Sequence, residues 1–185
     1  MYPVEVTSGR LGLREFQADD VDAVLAIYGD PAVAEHMSFE PRNREQVEAT
    51  ISAVTKAALE EPRLEYSLAG VLPDGELVAY TRLAIDTQHP DQSSGQVGMA
   101  FRHDQWGHGL GSEALRLLMR LAFDELGLYR VWGARSPLNT ASARMMAKLD
   151  MVEEGTIRGH IKVRGAWRDS VVHSLLAPEW SDGPR

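Results

Sequence analysis

The feature that most constrains this chain is a row of glycines at alternate positions, Gly107, Gly109 and Gly111. The segment 96–102 before it is typical of a short strand, and from Leu110 onward apolar residues recur at helical spacing. The first turn of a helix has backbone N–H groups without intrahelical partners, at the positive end of the helix dipole. Glycines leave these groups uncovered, so the pattern predicts a backbone site for a polyanion such as pyrophosphate. A flexible turn is the alternative interpretation of the glycines alone.

Two common nucleotide-binding loops do not fit this segment. No Lys-Ser or Lys-Thr follows the last glycine, and the spacing is not that of GxGxxG. A second pattern lies downstream, where 130–135 predicts a strand and Asn139 to Ser142 opens another helix. Asn139 is an ordinary helix cap, and Ser142 lies one turn later on the same side. A serine bonded to backbone carbonyls is the alternative interpretation of Ser142.

The remaining patterns predict a mixed α and β architecture. We expect strands at 11–16, 65–71, 76–85 and twice near the end, helices at 19–27, 31–37 and 43–59, a turn at Pro73-Asp74-Gly75 and a polar surface loop at 87–94. This order gives an α+β sandwich with one mixed sheet. The length suits one domain, so we expect residues 1–185 to form a single unit.

Composition excludes several classes of function. The chain has no cysteine, which rules out a disulfide framework, a thiol nucleophile and a thiolate-bound metal. A formal net charge of −8 disfavours nucleic acid as a partner and suits a cationic substrate, although simple solubility explains it equally well. No apolar run is long enough to cross a membrane, and the first ten residues lack the regions of a signal peptide. We therefore expect a cytoplasmic location and no membrane partner.

Several motifs resemble the GNAT superfamily of acyl-CoA-dependent N-acyltransferases, and most closely its RimJ/RimL-like branch. The sequence Trp106-Gly107-His108-Gly109-Leu110-Gly111 is similar to the family's pyrophosphate loop, Arg/Gln-x-x-Gly-x-Gly/Ala, with Trp106 at the Arg or Gln position. Asn139, Ser142 and Lys148 match the branch's second signature, but Asp150 and Met151 replace its Gly-Phe. The segment 165–180 looks like the branch's last hairpin. The resemblance implies a three-layer sandwich whose central mixed sheet is splayed at the acyl-CoA site.

The resemblance also implies where the donor binds. Acetyl-CoA is the expected acyl donor, with no metal. The backbone of the central strand would meet the thioester and the pantetheine arm, the glycine loop would hold the phosphates, and an asparagine would reach an amide of the cofactor. The implied residues are Met99, Ala100 and Phe101 on the strand, Gly107, His108, Gly109, Leu110, Gly111 and Ser112 in the loop, and Asn139. Plain core packing of Met99 and Phe101 is compatible with this role.

The catalytic residues implied by the resemblance are Ser142 and Gln96. Ser142 would protonate the departing thiolate, because Met146 stands where many family members have a tyrosine. Gln96 replaces a glutamate that often serves as the base; it can form hydrogen bonds but cannot accept a proton. His36, Glu35 and Asp86 are other candidates for the base, with solvated surface side chains as the alternative. His103 and His108 border the loop, and His160 and His173 are expected to be structural.

A site without an obvious base suits a weakly basic amine. An α-amino group titrates near ~8 and a lysine side chain near ~10.4, so an α-amine needs less help to lose its proton. The expected partner is therefore a small-molecule or peptide amine. A succinyl donor, with Arg82, Arg102 or Arg135 as its cation, and a non-catalytic acyl-CoA sensor are the alternatives. Trp132, Trp167 and the segment 175–180 provide apolar aromatic surface, and we expect a homodimer.

Overall fold

The computed structural model describes residues 2–87 and 93–181, and its centre is one sheet of eight strands. The strands are β1 Glu5–Thr7, β2 Gly12–Glu15, β3 Glu65–Val71, β4 Leu77–Ile85, β5 Ser94–Phe101, β6 Arg130–Arg135, β7 Val152–Val163 and β8 Ala166–Leu176. Their order in the sheet is β1-β2-β3-β4-β5-β6-β8-β7, and every neighbouring pair is antiparallel except β5 and β6. The sheet is therefore mixed, as predicted.

The described part of the chain has five α-helices, which lie on the two faces of the sheet: α1 Val21–Tyr28, α2 Pro31–Ala34, α3 Arg44–Ala57, α4 Leu110–Arg120 and α5 Thr140–Ala147. Local chemistry fixes several of their starts. The side chain of Asn43 accepts a hydrogen bond from the backbone N–H of Gln46 at 2.9 Å and so caps α3. Asp30 caps α2 in the same way, and Pro31 occupies the first helical position, where a missing N–H costs nothing. None of the helices within the described ranges combines the length and apolarity that a bilayer crossing requires.

Each face of the sheet has its own apolar core. On one face α1 and α3 pack against Phe16, Tyr80 and Ala100, with the rings of Phe16 and Tyr80 4.8 Å apart. On the other face α4 and α5 pack against Leu83, Val97 and other strand residues. These are called the α1–α3 face and the α4–α5 face below. Because side chains alternate along a strand, even-numbered residues of β5 lie on the α1–α3 face and odd-numbered ones on the α4–α5 face.

The parallel pair β5–β6 is joined over only a short length. The register pairs Ser94 with Arg130, Gly95 with Val131 and Gln96 with Trp132, and ends there. Beyond this point β5 stays bonded to β4 up to Phe101, while β6 stays bonded to β8 up to Arg135. The two strands therefore diverge toward their carboxyl ends, and the gap between them is called the split below. The splayed mixed sheet expected from the resemblance is confirmed.

Several predicted bounds differ from the structure, and one strand was not predicted. β1 was absent from the sequence prediction, because a three-residue polar strand has no measurable periodicity. Helix α2 ends at Ala34 rather than at residue 37, and in the segment that follows Arg164 and Arg168 donate hydrogen bonds to the carbonyl oxygens of Ala34 and His36. Helix α3 covers Arg44–Ala57 and is shorter than the predicted 43–59. The turn at Pro73-Asp74-Gly75 is confirmed, with Gly75 at φ +91°. Within the predicted loop 87–94, residues 88–92 lie outside the described part of the chain.

Candidate active site

The glycine loop joins the end of β5 to the start of α4 and leaves its backbone open. Gly107 and Gly109 have φ angles of +82° and +81°, a conformation that side-chain-bearing residues rarely adopt. A Cβ built on Gly107 would meet no atom within 4 Å. Gly109 is the residue before α4, and no side chain among residues 2–87 and 93–181 caps the helix. The first N–H groups of α4 therefore have no side-chain cap from the described residues and lie at the positive end of an 11-residue helix, which suits a pyrophosphate.

Trp106, which stands at the family's Arg or Gln position, connects the glycine loop to β5. Its indole N–H donates a hydrogen bond to the carbonyl oxygen of Phe101 at 3.0 Å. Its ring lies against the imidazole of His103, with ring centroids 4.5 Å apart. The bond ties the beginning of the loop to the last residue of β5, so the loop is held next to the split.

A cluster from the N-terminal turn supports the same loop, and the sequence analysis missed it. Arg10 donates to the carbonyl oxygen of His108 at 3.2 Å and forms an ion pair with Glu113 at 2.6 Å. Ser8 donates a hydrogen bond to the same carboxylate. Burial acts to raise the pKa of Glu113, but the bonds from Ser8 and Arg10 outweigh it and the pKa lies below its usual value. Glu113 stays charged and holds Arg10, whose side chain is 60% exposed, beside Gly109.

The side chains of Asn139 and Ser142 have different roles. Asn139 caps α5, because its Oδ1 accepts a hydrogen bond from the backbone N–H of Ser142 at 2.9 Å. The hydroxyl of Ser142 has no hydrogen-bond partner within residues 2–87 and 93–181, so the bonded-serine alternative does not describe it. Ser142 is half-buried and lies one turn before Met146 on the same side of α5. The geometry leaves this hydroxyl available to a ligand.

Met146 lies on the α4–α5 face, at the end of the split where β5 and β6 begin to separate. It is buried, and a Cβ built on Gly133 would lie 3.1 Å from its Cε and 3.4 Å from Val97 Cγ2. Gly133 and Val97 are the first residues of β6 and β5 beyond the paired segment. Met146 therefore fills space as a core residue, and its neighbour Ser142 lies one turn nearer the open end.

The strand residues assigned to the donor are divided between the two faces. Met99 and Phe101 pack against the core of the α4–α5 face, whereas Ala100 belongs to the core of the α1–α3 face. Gln96 lies on the α1–α3 face in the last paired row, opposite Trp132, and is half-buried. The backbone from Met99 to Phe101 thus borders the split, while the side chains of these residues pack into the two apolar cores.

The other candidates for the base lie on different elements. Glu35 is exposed, and the carbonyl oxygen of His36 accepts a hydrogen bond from Arg168 at 3.1 Å, which fastens the end of α2 to β8. Asp86 follows β4 at the paired end of β5, on a cavity of about 770 Å³ far along the strand from the glycine loop. His173 is buried on β8, where burial lowers the pKa of its imidazole. No group of three or more metal-binding side chains occurs among the described residues.

The three arginines considered for a succinyl donor differ in their surroundings. Arg102 is bound by Glu76 at 2.9 Å and Asp104 at 2.7 Å. Arg135 contacts His173, two backbone carbonyls and Glu153. Arg82 lies on the α1–α3 face next to Gly98, and Glu65 binds it at 2.8 Å. Each cation is therefore paired with a carboxylate.

Comparison with known proteins gives a consistent family. Residues 10–152 match the family model of the acetyltransferase (GNAT) domain. A Bacillus licheniformis protein called uncharacterized N-acetyltransferase p20 is 28% identical over 178 residues, which cover 93% of this chain and 96% of that protein. The [ribosomal protein uS5]-alanine N-acetyltransferase of Escherichia coli is 31% identical over 87 residues, 47% of this chain and 45% of that enzyme.

Solved structures agree in fold. An acetyltransferase of the GNAT family from Bacillus anthracis superposes with a TM-score of 0.83 at 21% identity, covering 95% of this chain and all of that one (100%). RimJ of Mycobacterium smegmatis, solved in complex with CoA-disulfide, superposes with a TM-score of 0.80 at 21% identity, covering 96% of this chain and 90% of that one. At this identity the similarity concerns the fold.

Proposed function

Since the chain belongs to the GNAT acetyltransferase family and is an acetyltransferase enzyme, we propose that it transfers acetyl from acetyl-CoA directly to a primary α-amine. The observation that carries this proposal is the position of the split, whose open end lies at the carboxyl end of β5, next to the uncapped, glycine-lined start of α4. The split therefore lies beside the expected anion site at the glycine loop. We propose residues 1–185 as a single domain for this activity.

The proposed donor site uses backbone more than side chains. The N–H groups of Gly107, His108, Gly109, Leu110, Gly111 and Ser112 would bind the phosphates. The unpaired edge of β5 at Met99, Ala100 and Phe101 would bind the pantetheine amides. Asn139 is occupied as a helix cap through Oδ1, so only its amide N–H₂ would reach the donor.

Starting from the ammonium form of the acceptor, the proposed chemistry removes two protons from nitrogen, one before the attack and one after the new N–C bond forms, and supplies one proton to the thiolate. Acetyl-CoA supplies a thioester whose carbonyl carbon an uncharged amine attacks, with the thiolate leaving. Ser142, whose hydroxyl is free among the described residues, would donate a hydrogen bond to that thiolate and pass a proton to it while taking one up from solvent. Gln96 would orient the amine by hydrogen bonding. Without a strong base at this position the acceptor must lose its proton to solvent, which favours an α-amine of pKa near ~8.

Two observations support the acetyl group and an amine on a protein or peptide. Arg82, the cation facing the acceptor side, is neutralised by Glu65, so a succinyl carboxylate would meet a carboxylate as well as a guanidinium. The E. coli relative is named for acting on an alanine of ribosomal protein uS5. We propose a peptide or protein N-terminus, or a small α-amine, as the acceptor.

The test is steady-state release of CoA thiol from acetyl-CoA and, in parallel, from succinyl-CoA. Acceptors are unblocked peptides, the same peptides with blocked N-termini and one lysine, free amino acids, polyamines and aminoglycosides. The proposal predicts turnover of acetyl-CoA with unblocked peptides or amino acids at neutral pH. Faster reaction of the blocked lysine peptides, or faster use of succinyl-CoA, would contradict it.

We also propose a homodimer and a cytoplasmic location. The aromatic surface expected from the sequence is smaller in the structure, since Leu175 is buried and Trp132 and Trp180 are half-buried. Trp167 on β8 is 68% exposed, and Ile157 and Val152 on the adjacent edge strand β7 are also exposed. Light scattering of the purified chain, with Trp167→Ser as the comparison, tests whether this surface joins two copies.

A further inference from the structure

A chain of polar side chains interrupts the apolar α1–α3 face at β3 and β4. Glu65 and Ser67 lie on β3, and Tyr80 and Arg82 on β4, with Ser67 directly opposite Arg82. Tyr80 donates a hydrogen bond to Ser67 at 3.0 Å, and Ser67 donates to Glu65 Oε1 at 2.8 Å. Arg82 donates from Nη2 to Glu65 Oε2 at 2.8 Å. The polar chain begins in the core and ends at the Glu65–Arg82 ion pair.

This ion pair is charged and partly open to solvent. The side chains of Glu65 and Arg82 are 33% and 40% exposed, whereas Ser67 and Tyr80 are buried. Burial acts to raise the pKa of Glu65, but hydrogen bonds from Arg82 and Ser67 outweigh it, and the pKa lies below its ordinary value. Glu65 is therefore ionised throughout the neutral range.

The ion pair faces the part of the α1–α3 face that adjoins the split. Arg82 is paired across the sheet with Gly98, the second residue of β5 beyond the last contact with β6. A Cβ built on Gly98 would meet no atom within 4 Å, so the space beside Arg82 is open. Glu65, Ala84 and Gln96 form one row across three strands, about 10 Å from end to end, with only a methyl group between the carboxylate and the amide.

Both members of the pair have unused hydrogen-bonding capacity. Each oxygen of Glu65 accepts one bond and has a second lone pair. For Nε and Nη1 of Arg82, the structure shows no hydrogen-bond partner in the ranges 2–87 and 93–181. The pair therefore offers an anionic acceptor and cationic donors side by side, 2.8 Å apart at their mutual contact.

We propose that the Glu65–Arg82 pair recognises the acceptor as it enters, with Glu65 binding its α-ammonium and Arg82 binding the carbonyl oxygen one carbon away. The ammonium then loses one proton to solvent, and the uncharged amine attacks the thioester. In the first residue of a peptide the α-nitrogen and the carbonyl oxygen are about 3 Å apart, which matches the side-by-side arrangement of the pair. Polyamines and aminoglycosides carry ammonium groups without that carbonyl. The inference rests on the proposed function and specifies its acceptor as an α-amino carbonyl compound.

The experiment compares Glu65→Gln and Arg82→Gln with a matched control, Glu76→Gln. Glu76 directly precedes β4 and forms another ion pair with an arginine, 2.9 Å from Arg102. The acceptors are L-alaninamide and isopropylamine, in which a methyl group replaces the carboxamide. KM and kcat are measured for each amine at saturating acetyl-CoA, and KM for acetyl-CoA is measured separately. Thermal melting checks the fold of each variant.

Glu65→Gln is expected to raise KM for both amines about tenfold, the effect of losing one hydrogen bond to a charged group. Arg82→Gln is expected to raise KM about tenfold for L-alaninamide and to leave isopropylamine unchanged. KM for acetyl-CoA should stay at the wild-type value in both. If Glu65→Gln melts below the assay temperature, Arg82→Gln provides the test by its contrast between the two amines.

The proposal is overturned if Glu65→Gln changes KM for L-alaninamide less than twofold, if Glu76→Gln changes it equally, or if Arg82→Gln affects both amines alike. Absence of turnover in the wild type would contradict the proposed function instead. Calorimetric titration of L-alaninamide into the CoA-loaded protein then decides the inference. Binding by the wild type and Glu76→Gln but not by Glu65→Gln supports it, and any other pattern overturns it.

Discussion

Replacing Ser142 by alanine should reduce catalysis without weakening the fold. The hydroxyl has no partner among the described residues, so its loss breaks no bond of the folded chain. Alanine is also the better helix former by a few tenths of a kcal/mol, roughly, at this position in α5. A general acid contributes about 10²-fold or more, so we expect kcat to fall about 100-fold, or about 2.7 kcal/mol in activation free energy.

Asn139→Ala, in contrast to Ser142→Ala, should lower the stability of the fold. It removes the cap bond of 2.9 Å to the N–H of Ser142, which costs about 1 kcal/mol of unfolding free energy and lowers Tm by about 2–4 °C. Thr140→Ala, at the exposed first position of the same helix, is the matched control for both variants.

Thiol release at saturating acetyl-CoA and amine gives kcat, and thermal melting gives Tm, for all three variants. The reasoning predicts a low kcat with an unchanged or slightly higher Tm for Ser142→Ala. A kcat within threefold of the wild type would refute it and would assign the thiolate's proton to solvent. A Tm that falls as far as that of Asn139→Ala would show that the hydroxyl is structural.

Three further substitutions test other parts of the site. Arg10→Ala should raise KM for acetyl-CoA about tenfold with little change in kcat, while Arg44→Ala, at an exposed pair with Asp22, should leave KM unchanged. Gln96→Glu adds a proton acceptor and should raise kcat/KM at pH 6.5 more for a lysine ε-amine than for an α-amine; an equal change for both would contradict the role of acceptor pKa. Glu154 has a pKa of about 2, held down by hydrogen bonds from Arg130 and Ser174. Because this folded value lies below the unfolded ~4.3, the pair stabilises the fold above that pH and its contribution is lost as pH falls through 2. Glu154→Gln, at a side chain 39% exposed, should cost about 0.5–1 kcal/mol in urea unfolding at pH 7, with the difference closing toward pH 2.

The parts of the site that sequence analysis identified are those with local causes. The glycine loop could be predicted because a strand, three glycines and an amphipathic helix follow one another without interruption. The cap at Asn139 depends on a bond between residues three apart, so its pattern is visible in the chain. The mixed sheet followed from the order of elements, and its splayed form from the resemblance.

The parts that were missed depend on contacts between distant segments. Arg10 and Glu113 are 103 residues apart, and no local pattern connects the N-terminal turn with the start of α4. Glu65 and Arg82 meet because of the register of β3 against β4. A shift of this register by one residue would place their side chains on opposite faces of the sheet. Met146 was recognised only as a residue unable to donate a proton, because its packing against Gly133 depends on the three-dimensional approach of α5 to β6.

Because the β5–β6 pairing ends early, backbone N–H and C=O groups of β5 have no strand partner among the described residues, in the middle of an eight-stranded sheet. Unpaired strand edges normally lie at the outside of a sheet, where they invite association with other chains. Here the unpaired edge of β5 lies inside the sheet, so only a narrow, extended molecule can reach it. An amide of such a molecule can form the hydrogen bonds that a neighbouring strand would otherwise form. Ligand binding should therefore slow the hydrogen exchange of the backbone amides of β5 from Val97 to Phe101.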